Sequence, residues 1–104
     1  MEKITKQEHK RLINILSELI DMIVYIRKEV EDNYSLQKNE REAIEWYRFL
    51  KVHDDKEAIK SLNREIANRY VYEFENKLCD FQIDNKRADL IEQYLIMTDK
   101  ILNK

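Results

Sequence analysis

Residues 5–30 read TKQEHKRLINILSELIDMIVYIRKEV, and this stretch decides the fold. Leu12, Leu16, Leu19, Ile23, Ile26 and Val30 recur at alternating spacings of four and three, a heptad-like apolar seam. Ile13, Ile20 and Val24 widen one flank, and Ile15 and Met22 the other. Thr5 and Glu8 stand three apart just before the seam, the spacing of a capping box that satisfies orphaned backbone donors. The polar run Glu31, Asp32, Asn33 closes the pattern, so the first helix is expected over about 5–32.

The rest of the chain repeats this grammar. Asn39 with Glu42 predicts a second helix over about 40–52, and Asp54 with Glu57 a third over about 55–80. The third carries Ile59, Leu62, Ile66, Tyr70, Phe74 and Leu78 as its stripe. Asp84 caps a fourth over about 85–103, with Leu90, Ile91, Tyr94, Leu95, Thr98, Ile101 and Leu102 inward. Helices three and four could equally form one long rod. Glu65 with Arg69 and Glu73 with Lys77 add favourably ordered ion pairs, each worth about 0.2–0.5 kcal/mol.

Composition agrees. The 104 residues include no glycine and no proline, and 43% are hydrophobic. Tight hairpins and phosphate-cradling loops need φ > 0, which glycine adopts freely. The P-loop, the dinucleotide fingerprint and the nucleophile elbow are thereby excluded. An all-α, elongated, antiparallel bundle of about four helices is expected, as a single domain over 1–104.

Nineteen basic residues against 21 acidic ones give a formal charge of −2, which argues against a nucleic-acid binder driven by phosphate neutralisation. One basic knot stands out: Lys3, Lys6, Lys10 and Arg11. The single Cys79 rules out an internal disulfide and a cysteine-rich zinc site, and suits a reducing compartment. Glu18 and Asp21 interrupt the apolar run before a signal-type segment is complete. A cytoplasmic, membrane-free protein is expected.

Three constellations could carry chemistry. Arg48 and His53 fit Arg-x4-His, which resembles the ribonuclease motif of the HEPN superfamily of helical proteins. The resemblance implies His53 as acid–base and Arg48 as stabiliser of phosphate charge, acting on RNA across a dimer interface. The alternative places His53 in an interhelix turn and Arg48 on a wet face. Glu18 with Asp21 and Glu42 with Glu45 resemble the E-x-x-D and E-x-x-E pairs of MazG-type pyrophosphatases, in reversed order. Such pairs share a helix face and imply Mg²⁺, although chance produces this spacing readily in an acidic helical chain. Neither His9 nor His53 has a Glu three residues before it, as a di-iron bundle would need. No cofactor and no metal are expected.

Aromatic content points elsewhere. Six Tyr, three Phe and one Trp are many for this length, and Tyr, Trp and Arg are enriched at binding hot spots. The second helix, over about 40–52, reads apolar nearly all round, so Trp46, Tyr47 and Phe49 are expected to include partner-binding anchors. Tyr72 joins them, because it falls about 200° from Tyr70 on a helix. The expected function is therefore non-enzymatic protein binding, as an inhibitor, adaptor or immunity-type factor. The bias towards Ile, Lys, Asn and Glu points to an AT-rich bacterial or phage genome. A HEPN-like nuclease or toxin–antitoxin protein is the second reading, and a small nucleic-acid regulator using the Lys3–Arg11 knot the third.

A homodimer is also expected. A first helix of about 28 residues is on the order of 40 Å long and overhangs a sphere roughly 33 Å across. The seam Leu12, Leu16, Leu19, Ile23, Ile26 and Val30 would then pair with a second copy.

Overall fold

Thr5 opens the first helix as a capping box. Its backbone N–H donates to Glu8 Oε1 at 2.9 Å, and the Glu8 N–H donates to the Thr5 hydroxyl at 3.0 Å. The computed structural model describes residues 2–29, 34–70 and 82–103, with side chains described outside positions 26, 27, 29, 34–37, 70 and 82–88. The described residues form four helices: α1 Lys6–Glu29, α2 Tyr34–Val52, α3 Lys56–Tyr70 and α4 Gln82–Leu102. The molecule is an all-α bundle.

Helix boundaries differ from expectation where the polar residues serve other ends. α2 begins at Tyr34, so Asn39 and Glu42 lie inside it rather than at its start. Leu36, Gln37 and Lys38 are good helix formers, and no glycine or proline interrupts them. Likewise Asp84 lies within α4 instead of capping it. α3 is capped by Asp55, whose Oδ2 accepts the Ala58 N–H at 3.0 Å. Asp54 is otherwise engaged: its carbonyl accepts the Ile4 N–H at 2.9 Å. The expected ends of the first and third helices, at 32 and 80, fall outside the described residues. A single rod of α3 and α4 is excluded, because the two pack side by side with the Thr98 hydroxyl 2.7 Å from Asn63 Oδ1.

The core corrects the dimer seam. Leu12, Leu16, Leu19 and Ile23 are each 2% exposed or less within one chain. They meet Ala43, Trp46 and Leu50 of α2, Ile59, Leu62 and Ile66 of α3, and Leu90, Ile91, Tyr94 and Ile101 of α4. α1 packs most extensively, against α2 and α4, while α2 touches α3 only slightly. The seam is intramolecular core, with Ile26 and Val30 outside the described side chains. The overhang disappears too. α1 has 24 residues, about 36 Å at 1.5 Å each, and the molecule measures 44 × 23 × 17 Å.

A short N-terminal strap seals one end. Besides the Ile4–Asp54 bond, the Lys56 N–H donates to the Glu2 carbonyl at 2.8 Å, and Lys3 bridges Asp55 in antiparallel fashion. Ile4 is buried beneath the strap. Glu2 and Lys56 pair at 3.0 Å, and this hydrogen bond holds the Glu2 carboxyl below the usual carboxylate range.

Two polar groups enter the core with opposite fates. The Thr98 hydroxyl has Asn63 Oδ1 and the carbonyls of Tyr94 and Leu95, both at 2.9 Å, as acceptors. Among the described residues the buried Tyr94 hydroxyl has no hydrogen-bond partner, and burial raises its pKa. A buried unpaired hydroxyl costs about 1–3 kcal/mol. Tyr94→Phe, which keeps the ring, should therefore raise stability by about 1 kcal/mol, read as a higher urea midpoint at unchanged slope. Because the folded-state pKa is raised, Tyr94 also costs stability as pH climbs past the ordinary tyrosine value of about 10. The variant should lose less stability there than the parent.

Candidate interaction surface

α2 carries its exposed residues on one stripe: Lys38, Arg41, Glu45, Arg48, Lys51 and Val52. Spacings of three and four keep these on one face, opposite Ala43, Trp46 and Leu50. The helix is amphipathic rather than apolar all round. This relocates the expected anchors. Trp46 is only 6% exposed, so its ring is committed to the core and cannot be a surface anchor. Phe49 is half-buried, with its ring centroid 4.3 Å from that of His53. Tyr47 is half-buried on the other flank, with the Lys51 ammonium 5.2 Å above its ring. Tyr72 lies outside the described residues.

One contact sets the register of α1 on α2. His9 Nε2 donates to the Leu50 carbonyl at 2.6 Å, which places its proton on that nitrogen. Leu50 belongs to the last turn of α2, where carbonyls lack helical partners, and the His53 N–H reaches the same oxygen at 3.3 Å. The start of α1 therefore lies against the end of α2.

Which flank of α2 faces α1 follows from an ion pair on the opposite side. Glu42 meets Arg69 of α3 at 3.6 Å. Tyr47 lies about 140° round the helix from Glu42, so the Tyr47 flank, with Ile44 and Lys51, turns towards α1. On α1, Lys6, Lys10 and Ile13 lie on the His9 side, within a turn of it. Their helical positions thus put half-buried Ile13 on the α1 flank that faces α2, and half-buried Ile44 and Tyr47 on the α2 flank that faces α1, with exposed Lys6, Lys10, Arg48 and Lys51 on the same two flanks. The basic knot joins the end of α2, a juxtaposition invisible in sequence.

The other constellations gain less. Arg48 is exposed, whereas His53 packs on Phe49 and lies 4.0 Å from Asp55 through Nδ1. Phe49 stands about 100° round from Arg48, so the ring that holds His53 is on a different flank. Glu18 and Asp21 are exposed on the outer side of α1, Glu45 is exposed, and Glu42 is engaged by Arg69. Among the described residues, no group of three or more His, Cys, Asp or Glu is placed to hold a metal ion. Cys79 lies outside them. A cavity of about 320 Å³ beside Glu2, Lys56, Glu57, Lys60 and Leu102 contains the Glu2–Lys56 pair already described.

No family model, curated protein or solved structure matches this chain. No helix among the described residues is long and apolar enough to cross a membrane.

His9 was not singled out in the sequence, although it precedes Leu12 by three and extends the seam by one turn. Replacing it with Ala should lower stability by about 1 kcal/mol, the net worth of one neutral hydrogen bond. Amide exchange in the last turn of α2 should accelerate more than at the start of that helix. Uniform acceleration would mean that His9 acts only through global stability.

Proposed function

We propose that this chain works by binding another protein, without catalysing a reaction, through the face that α1 and α2 share around Tyr47. The role is that of an inhibitor, adaptor or immunity-type factor, of phage or mobile-element origin, acting in the reducing cytoplasm. The supporting observation is the composition of the face. An aromatic and two aliphatic side chains lie half-covered at its centre, with Arg48 and three lysines at the edge. Specific interfaces have this anatomy, an apolar centre inside a polar rim, with Tyr and Arg among the residues that dominate affinity. A second copy is no part of this reading, because the helix 1 seam is already covered by its own chain.

Affinity capture from a bacterial host lysate, followed by calorimetry with the identified partner, tests the proposal. Tyr47→Ala should weaken binding by about tenfold or more, equivalent to about 1.4 kcal/mol, while lowering the melting temperature less than a core substitution does. Trp46→Ala should instead destabilise the fold by about 3–5 kcal/mol, as a large-to-small core change does. Unaltered affinity in both Tyr47→Ala and Ile44→Ser would place the binding surface elsewhere. Cleavage of RNA that disappears in both Arg48→Ala and His53→Ala would overturn the non-enzymatic reading altogether.

A further inference from the structure

Resting on that protein-binding reading, we infer the chemistry of the partner: a helix whose apolar stripe is flanked by Asp and Glu, lying over the α1–α2 face. The argument starts from how the charge is distributed. The chain carries a net −2, yet among the described side chains of α2 the exposed charged residues are Lys38, Arg41, Arg48 and Lys51 against Glu45 alone. Among the α4 side chains described, from Asp89 onward, Asp89, Glu92 and Asp99 are exposed against Lys100. Among the described side chains, charge is segregated between these two helices.

The segregation is sharpest around Tyr47. Lys6, Lys10, Arg48 and Lys51 form no ion pair among the described residues. Lys51 has a helical reason to be there, since a cation near a helix C-terminus is favourable. Lys6 has the opposite: it is the first residue of α1, where the positive end of the helix dipole opposes it. Like charges gathered on one small face repel one another in the free protein. A complementary surface relieves that repulsion, speeds encounter and rejects basic competitors.

The centre of the face distinguishes a protein from a polyanion. Half-buried Ile13, Ile44 and Tyr47 offer apolar surface that phosphates cannot cover, whereas an amphipathic helix can lay an apolar stripe against it. The flanking acidic groups of that helix then meet Lys6 and Lys10 on one side and Arg48 and Lys51 on the other.

The test uses a fluorescein-labelled amphipathic helical peptide of about 18 residues, with a Leu stripe flanked by Glu. Its Glu→Gln twin, a Lys-flanked twin, a duplex DNA and a single-stranded RNA are compared by anisotropy. Titrations run at about 50 and about 300 mM salt, a range over which exposed charges become strongly screened. The acidic peptide should bind at low salt, and about tenfold or more weaker at high salt. The Gln twin should bind at least about tenfold weaker than the acidic peptide. The exposed double variant Lys10→Glu/Arg48→Glu, with unchanged circular dichroism, should lose the acidic peptide and gain the Lys-flanked one. Equal binding of the acidic and Gln peptides would overturn the acidic assignment while leaving a protein-docking face. Binding of nucleic acid without either peptide would overturn both readings. No binding of the acidic peptide, or binding indifferent to the double variant, would overturn the inference alone.

Discussion

Burial of the Leu12–Ile23 stripe is the constraint from which the rest of the molecule follows. The stripe is too wide for one partner helix, since Ile13 and Ile20 flank it on one side and Ile15 and Met22 on the other. α1 therefore has to be covered twice, and α2 and α4 do so within the same chain. With both flanks taken, α3 closes the bundle against α4 through Ile59, Leu62 and Ile66. The same geometry removes the physical case for a dimer along this seam. Heptad spacing reports only that an apolar stripe needs covering, and a bundle satisfies it as well as a second copy does.

Hydrophobic packing does not by itself fix how far one helix slides along another. The polar contacts at the ends do that. His9 meets the last turn of α2, Asn63 meets Thr98, and the strap ties Glu2 and Ile4 to the segment between α2 and α3. Each contact joins residues distant in sequence, and each involves a backbone or side-chain group whose burial without a partner would be costly. Among the described residues Tyr94 is the exception, and its ring fills core space that a hydroxyl without a partner there makes less favourable.

This division explains what could be read from the sequence. The helices, the Thr5–Glu8 cap and most of the core follow from local spacing, because period and capping act within a few residues. Boundaries were less legible where a capping residue had competing uses: Asp54 and Asp55 are chemically alike, and only the strap decides between them. Trp46, Tyr47 and Phe49 are consecutive but for one residue, yet they fall in the core, on the α1 flank and beside His53. Sorting them required knowing which helix lies on which side. The basic knot and the end of α2 are more than 30 residues apart, so no window along the chain could join them.

The charge of that shared face has a structural origin in the demands of helix starts. Acidic residues near this end are drawn into capping and tethering: Glu8 in the box with Thr5, Asp55 at the start of α3, and Glu2 on Lys56. Asp54 lies 3.9 Å from Lys3. Once those carboxylates are committed, exposed Glu45, one turn from Arg48, is the acidic residue on the same stripe of α2, against Lys6, Lys10, Arg48 and Lys51. Stabilising the ends and charging the face are thus two consequences of one allocation of acidic residues. Lys51 suits the helix it ends, but Lys6 opposes the helix it begins, so local stability accounts for only part of the arrangement. The remainder is what an acidic partner would be expected to complement.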